Sequence, residues 1–240
     1  MNKFFSFVAV AALFVSFGLT KLNAQTSLSE GMIKMELTDI KSDDPAMGAQ
    51  LGMMKGSTTT VYFDDKKSLT QMDMMGGMME MSVMADVKTK AGFLLFKMDM
   101  LGQKVKVNIS EEDVKTREAD NAMADITVVY DESDTKEVAG YKCYKATITS
   151  PGLQGGAITA YITDEITASA DIIQGITADK IKGFPLEYVM GAQGISMVYT
   201  TVEIKTDIDK SVFEVNTDGY EEQTMEEFTK TMGAMGGMGF

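Results

Sequence analysis

The sequence predicts a mainly β protein, built from one antiparallel sheet system with few helices. Segments in which apolar and polar residues alternate recur along the chain, and short glycine-containing turn signals separate them. The clearest group runs from Gly140 to Thr206, where three strands follow one another with their turn signals intact. Strands that recur this often, joined by short connections, favour an antiparallel sheet with one apolar face.

The first 24 residues have the layout of a secretory signal peptide. A positive start at Lys3 precedes an apolar run of 16 residues from Phe4 to Leu19, and the small residue Ala24 precedes Gln25. The apolar run is shorter than the roughly 20 residues that a membrane-spanning helix needs. We therefore expect cleavage after Ala24 and a mature chain with no stable membrane anchor.

The composition of the mature chain excludes several classes of function. The signal peptide contains Lys3 and Lys21 but no acidic residue, so its removal takes the formal charge from −13 to −15. A chain this acidic repels phosphate backbones, so we expect no nucleic-acid partner. The single cysteine, Cys143, allows no internal disulfide, so stability has to come from burial.

The N-terminal half of the mature chain is predicted to contain strands and one short helix. Ile33, Met35 and Leu37 alternate with polar residues and predict the first strand, and the following stretch, Lys41–Gly56, is predicted to be a loop. The remaining predicted elements of this half are a strand at Thr58–Asp64, a hairpin around Gly76-Gly77 within Ser68–Ala85, strands at Phe93–Met100 and Lys104–Ile109, and a surface helix at Ser110–Asp120.

The C-terminal half continues the pattern. Ile158, Ala160 and Ile162 should share a buried face, while Thr159 and Thr163 should face the other way. The other predicted elements are a strand at Ile126–Tyr130, a polar turn at Asp131–Gly140, a strand at Tyr141–Ser150, a hairpin of Gly183–Tyr188 with Ile195–Thr206, a connection at Asp207–Phe213 and a helix at Glu221–Met232. This predicts one β-rich domain over residues 25–232 and a disordered tail over 233–240.

Four stretches of this half resemble a known family. They are Gly140-Tyr141-Lys142-Cys143, Ala160–Ile166, Gly183–Tyr188, and Asp209–Phe213 before Gly219-Tyr220. They resemble the secreted domain of unknown function 4412, which is similar in layout to LolA-like (outer-membrane lipoprotein carrier) envelope proteins, and the resemblance covers most of Gly31–Glu227. It implies a strongly curved, unclosed antiparallel β-barrel with helices near its mouth. It does not imply an enzyme, and the family has no catalytic residues to carry over. We expect no cofactor, and we expect export to the periplasm or the extracellular space of a Gram-negative bacterium.

The residues needed for hydrolytic catalysis are largely missing. The chain has no histidine, which excludes the usual Ser-His and Cys-His nucleophile pairs. Ser133 and Lys136 have the Ser-x-x-Lys spacing, but the acidic residues around them predict a solvated hairpin loop instead. We therefore expect that the protein is not an enzyme.

The leading hypothesis is that the protein shelters an apolar ligand, such as a lipid, an acyl chain or a lipidated partner protein, in a half-barrel. Burial of the ligand in a preformed apolar cavity would supply the free energy of binding. From alternation alone, the candidate lining residues are Val105, Val107, Ile158, Ala160 and Ile162. A structural or interaction module of the cell envelope remains an alternative.

Methionine is the unusual feature of the composition. Eight of the methionines fall between Met72 and Met98. Thioethers are soft ligands that suit Cu(I), flexible methionine surfaces adapt to apolar partners, and methionine also simply fills cores. All three interpretations stay open from sequence. The candidate ligands for Cu(I) are Met72, Met74, Met75, Met78 and Met79.

We predict that the exported protein begins at Gln25, because the apolar run is too short to remain as an anchor and a small residue precedes the cut. N-terminal peptide mapping of the exported protein checks this. Recovery of a peptide that retains Met1 or Phe4 would contradict the prediction.

Overall fold

The computed structural model describes residues 26–119, 125–153, 156–168, 180–192 and 194–236. Most of these residues form strands: β1 (Thr26–Leu28), β2 (Gly31–Ser42), β3 (Thr58–Phe63), β4 (Lys67–Met74), β5 (Met79–Asp86), β6 (Gly92–Met98), β7 (Gln103–Ile109), β8 (Thr127–Val138), β9 (Tyr141–Thr149), β10 (Ala157–Thr163), β11 (Ile166–Ala168), β12 (Phe184–Ala192), β13 (Ile195–Lys205) and β14 (Glu221–Gln223). The helices of this part of the chain are α1 (Pro45–Leu51), α2 (Glu111–Ala119) and α3 (Met225–Gly236). Short 3₁₀ turns lie at Gly52–Met54, Asp99–Leu101, Pro151–Leu153 and Lys210–Phe213.

Twelve of the strands form one sheet in the order β14-β7-β6-β5-β4-β3-β2-β13-β12-β10-β9-β8. All neighbours in it are antiparallel except β14, which runs parallel to β7. The sheet is curved, and its edge strands β14 and β8 do not pair with each other within the described residues, so it is an unclosed barrel. The predicted fold class, a mainly β protein with a curved antiparallel sheet and a few short helices, is confirmed.

Two buried clusters lie on one face of the sheet, which we call the inner face. The first cluster is formed mainly by β2, β3, β9, β10 and β12, and it includes Ile33, Met35, Val61, Phe63, Ala146, Ile148, Ile158, Ala160, Ile162 and Tyr188. The second is formed by β6, β7, α2 and α3, and it includes Leu94, Phe96, Met98, Val105, Val107, Ile109, Val114 and Phe228. Each cluster fills one end of the inner face.

The opposite face carries a smaller apolar cluster. Leu69 of β4 and Met84 of β5 are paired across the two strands, and Phe213 from the 3₁₀ turn after β13 buries them. The segment that follows β13 therefore covers the outer face of β4 and β5.

The stretch Lys41–Gly56, predicted as a loop, contains helix α1. Asp44 caps this helix, because its carboxylate accepts hydrogen bonds from the backbone N–H groups of Ala46 (2.8 Å) and Met47 (3.4 Å). Pro45 occupies the first turn, where its missing N–H leaves no donor unsatisfied. The loop prediction is wrong because the Asp44 cap and Pro45 start a helix despite Gly48 and Gly52.

Two further boundaries differ from the predictions. The polar run Asp131–Gly140 does not turn back early: β8 continues to Val138 across a bulge between Asp131 and Thr135, and the turn lies at Ala139-Gly140. The predicted helix at Glu221–Met232 is β14 followed by α3, which begins after Thr224 and extends to Gly236. Residues 237–240 of the predicted tail and residues 1–25 lie outside the described part of the chain.

The predicted burial of Ile158 and Ile162 is confirmed, but the side of β10 that carries Thr163 is covered as well. Ile158 and Ile162 are buried in the first cluster, but Thr163 is 0% exposed as well. The cause is a later segment: the backbone of Gly183 packs so closely that an added Cβ would lie 3.0 Å from the Thr163 carbonyl oxygen. Thr159 is half-buried, so it faces solvent in part.

We predict that Ile162→Asp destabilises the fold by about 4 kcal/mol or more, because it buries an unpaired carboxylate. Thr163→Asp should also be severe, whereas Thr159→Asp should cost about 1 kcal/mol or less. Urea unfolding of the three variants checks the order. Equal losses for the substitutions at 159 and 162 would contradict the assigned faces.

Candidate functional site

The inner face carries a strip of methionines on β4 and β5. Met72 lies directly opposite Met81, and Met74 lies directly opposite Met79. Because directly opposed residues of antiparallel strands project from the same face, these four side chains lie side by side. All four are half-buried. We call Met72, Met74, Met79 and Met81 the methionine strip.

The methionine strip lies between the two buried clusters. Along one row of paired residues, Met35 of the first cluster leads through Thr59 to Met72, and Met81 leads to Phe96 of the second cluster. Met79 and Met81 pack against the second cluster, whereas Met72 and Met74 belong to no buried cluster of the described residues. The strip is therefore a partly exposed apolar region of the inner face between the two buried clusters.

Helix α3 covers the second cluster beside the strip. Its Phe228 ring packs edge-on against the Phe96 ring, with centroids 5.7 Å apart, and Met225 and Met232 pack against the same cluster. The start of the helix is fixed by a capping box, in which the Glu227 N–H donates to Thr224 Oγ1 (3.2 Å) and Glu227 Oε2 accepts from the Thr224 N–H (2.8 Å). The bonds that the Glu227 carboxylate accepts from the Thr224 N–H and from Thr224 Oγ1 (2.9 Å) lower the pKa of Glu227.

The turn between β4 and β5 separates the predicted copper ligands. Met75, Gly76 and Gly77 all have positive φ angles, of 56°, 68° and 87°, which the two glycines adopt without strain. Met75 and Met78 lie in this turn, and Met78 is exposed. Of the five predicted ligands, Met72, Met74 and Met79 thus share the inner face, while Met75 and Met78 lie at the end of the hairpin.

Sequence reasoning missed Met81, which belongs to the methionine strip, and Met98, which is buried beside it. Met98 lies directly opposite Met79 and is buried in the second cluster. A signal for Met81 was present: a hairpin that turns symmetrically about Gly76-Gly77 pairs residue 72 with 81 as well as 74 with 79. Met98 depended on the register of the next hairpin, which has no such symmetric glycine pair.

The five predicted lining residues lie in both clusters rather than around one cavity. Val105 and Val107 belong to the second cluster, and Ile158, Ala160 and Ile162 belong to the first. None is more than 4% exposed, so these side chains offer almost no accessible surface to a ligand. A ligand that touched them would have to displace other side chains or α3. Their role in binding stays a prediction.

A shallow open depression of about 260 Å³ lies between β7 and β14. Its walls are mostly polar, formed by Gly102, Gln103, Lys104, Val105, Gly219, Glu221 and Gln223. The side-chain oxygens of Gln103 and Gln223 are buried without a hydrogen-bond partner among the described residues. Polar walls of this kind do not suit an acyl chain, so this depression is not the predicted apolar site.

The groups considered for catalysis are engaged in structural contacts. Ser133 lies in the bulge of β8, where its Oγ donates to Asp131 Oδ1 (2.6 Å), and Lys136 Nζ donates to Glu187 Oε1. The pair is therefore not arranged as a nucleophile and its base. Burial raises the pKa of the Cys143 thiol to about 11, so this thiol stays protonated at neutral pH.

The described residues contain neither a cluster of ligands for a hard metal ion nor a helix that could span a membrane. No group of three or more aspartate, glutamate, histidine or cysteine side chains in them is placed to hold a metal ion. The same part of the chain contains no helix that is both long and apolar enough to cross a membrane.

Comparison with known proteins gives only distant likenesses. No protein-family model and no curated protein matches this chain. Among solved structures, it is similar to PNGF-II, with 12% identity over 85% of this chain and 33% of PNGF-II and a TM-score of 0.48. It is also similar to an uncharacterized conserved protein from Thermus thermophilus, with 10% identity over 85% of this chain and 93% of that protein and a TM-score of 0.42. For the lipoprotein LppX of Mycobacterium tuberculosis, the identity is 11% over 76% of this chain and 89% of LppX, and the TM-score is 0.40. The chain thus spans a third of the length of PNGF-II. At such identities and TM-scores, these likenesses say nothing about what this chain binds.

Proposed function

We propose that the protein is a non-enzymatic carrier that shelters an apolar ligand, such as a lipid acyl chain, on the inner face of its sheet. The observation that carries the proposal is the methionine strip: four adjacent apolar side chains that remain half-buried between two filled clusters. Partly exposed apolar surface costs about 25 cal/mol per Å², which a bound apolar ligand would recover.

Methionine suits this task better than a branched residue would. Its side chain is unbranched and polarizable, so several of them repack around ligands of different shape. The strip offers about the same hydrophobicity as leucine without a fixed shape. A surface of this kind fits a class of acyl chains rather than a single compound.

Helix α3 provides the movable side of the proposed site. It contacts the second cluster mainly through Phe228, Met225 and Met232, and it connects to the sheet through the three-residue strand β14. Displacing α3 would extend the methionine strip over Phe96 and Val105. In this way the predicted lining residues Val105 and Val107 would reach a ligand, while Ile158, Ala160 and Ile162 would remain in the core.

The proposal also covers the family to which the protein belongs and the compartment in which it works. We place the chain in the secreted domain of unknown function 4412 family, on the stretches around Cys143, Tyr161, Pro185 and Phe213 that carry the resemblance. We assign it to the periplasm or the extracellular space of a Gram-negative bacterium, where a lipid or a lipidated protein would be its partner. The signal-peptide layout of residues 1–24 supports export.

We predict that replacing the methionine strip by glutamine weakens binding of a fluorescent fatty acid, cis-parinaric acid, by at least about tenfold, because the apolar contact surface is lost. The same four positions replaced by leucine should stay within about threefold of the wild type, because volume and hydrophobicity are kept. Fluorescence titration of delipidated protein measures both. Circular dichroism confirms that the variants are folded.

Val202→Gln is the matched control for these variants, because Val202 is an exposed apolar residue on β13, outside the strip. It should bind the fatty acid like the wild type. The proposal fails if the glutamine variant keeps its affinity, or if the leucine variant loses as much as the glutamine variant.

A second candidate function is binding of Cu(I), and the pairing in the strip is the observation that favours it. Directly opposed residues of antiparallel strands have Cβ atoms about 5 Å apart. The pairs Met72–Met81 and Met74–Met79 therefore bring four thioethers together on one face. Such soft ligands suit Cu(I).

Anaerobic titration of Cu(I) into the wild type and the four-leucine variant separates the two functions. If the strip is an apolar site, we expect no stoichiometric copper binding, and the leucine variant retains the fatty acid. Stoichiometric copper binding that disappears in the leucine variant would establish the metal site, because leucine has no lone pair to offer.

A further inference from the structure

Three successive connections of the sheet meet at one rim. In an antiparallel meander, alternate connections lie at the same end, so residues 43–57 (between β2 and β3), 75–78 (between β4 and β5) and 99–102 (between β6 and β7) are neighbours. With strands about 4.8 Å apart, these connections extend over about 24 Å. We call residues 45–54, 75–78 and 99–102 the methionine rim.

The methionine rim exposes large apolar side chains. Eight such residues are exposed in the described chain, and five of them lie in this rim: Met47 (44%), Met53 (62%), Met78 (42%), Met100 (67%) and Leu101 (50%). Single exposed apolar residues are ordinary on protein surfaces, but a group on three adjacent turns marks an interaction surface.

The two rims of this part of the sheet differ sharply in charge. Residues 45–54 and 75–78 contain no charged side chain, and Asp99, the one charged residue of 99–102, is paired with Lys97 (3.3 Å). The charges of the first connection, Asp43, Asp44 and Lys55, lie at its two ends, next to β2 and β3. The opposite rim carries charges in every connection: Asp64-Asp65-Lys66-Lys67, Asp86 with Lys88 and Lys90, and the acidic start of α2. In a chain of formal charge −13, a neutral rim this long selects a neutral, apolar partner.

The methionine rim is held in place by hydrogen bonds. The Asp99 N–H donates to the Met78 carbonyl oxygen (3.1 Å), which joins the second and third turns, and the Asp44 cap fixes α1 in the first connection. Each exposed side chain thus projects from an ordered turn. The rim also continues into the methionine strip, because Met74 and Met79 form the last pair before residues 75–78.

We propose that the methionine rim is the surface with which the protein docks onto the neutral surface of a phospholipid bilayer. A fluid bilayer accepts side chains that project from three separate turns, whereas a folded partner would need a matching pocket for each of them. The net negative charge repels anionic headgroups, so zwitterionic lipid should be preferred. The docking stands on the rim alone and does not depend on whether the strip binds a ligand.

The experiment is flotation of residues 25–240 with vesicles of phosphatidylcholine and, separately, of phosphatidylglycerol. The rim variant combines Met53→Ser, Met78→Ser, Met100→Ser and Leu101→Ser, and Val202→Ser is the control, since Val202 lies near the other end of β13. We expect the wild type and the control to float with phosphatidylcholine vesicles. The partition coefficient of the rim variant should be lower by at least about tenfold. Unfolding curves confirm that the exposed substitutions leave the fold intact.

Three results would overturn the proposal. The wild type does not float with phosphatidylcholine; the rim variant floats as well as the wild type; or binding requires phosphatidylglycerol. Sedimentation of the free protein tests whether a second copy of the chain binds to the methionine rim instead. If the wild type forms concentration-dependent dimers, the rim variant does not, and neither binds vesicles, the rim is a dimer interface and the proposal is wrong. Fatty-acid titration of the same rim variant keeps the two proposals separate, because its affinity for a soluble ligand should not change.

Discussion

The pairing of β2 with β13 is the contact on which the rest of the fold depends. Strands β2 to β7 form one meander, and β8, β9, β10, β12 and β13 form another; only this pairing joins them within the twelve-stranded sheet. It brings together residues about 160 positions apart in sequence, and closing so long a loop costs conformational entropy. The long paired stretch, from Met32 opposite Lys205 to Ser42 opposite Ile195, offsets this cost. At its end only glycine fits at position 31, where an added Cβ would lie 2.5 Å from the Lys205 carbonyl oxygen.

This pairing also decides what the inner face can be. It places Ile33 and Met35 against the isoleucines of β10, which fills the first cluster. At the far end of the first meander, α2 and α3 fill the second cluster. Neither group of covering elements brings Met72 or Met74 into a buried cluster. The methionine strip thus stays half-buried between the two clusters, with flexible side chains that no described element covers completely.

The outer face carries a nearly buried carboxylate, Glu187, which has hydrogen-bond donors around it. Glu187 is only 9% exposed, yet its carboxylate accepts from Lys136 and from Thr200 Oγ1 (3.2 Å), and Lys136 also lies 4.3 Å from the centroid of the Tyr161 ring. These contacts link β8, β10, β12 and β13 on the side that faces away from the clusters. A buried carboxylate with these partners is a structural group.

The sequence alone determined the features that depend on local periodicity. Alternation predicted β2, β7 and β10 and the burial of Ile158 and Ile162, because period two follows from strand geometry whatever the partner strand is. The capping pattern at Ser110 likewise predicted α2, because a helix cap is completed within four residues. Neither signal needs information from elsewhere in the chain.

Only the tertiary structure decided which side chains meet. Thr163 is buried by Gly183, twenty residues further on, and Met98 joins Met79 only through the β5–β6 register. The three turns of the methionine rim are separate in sequence and become one surface because the meander returns to the same end every second strand. Alternation tells which residues share a face of one strand, but the pairing between strands determines what lies next to that face, and that pairing is non-local.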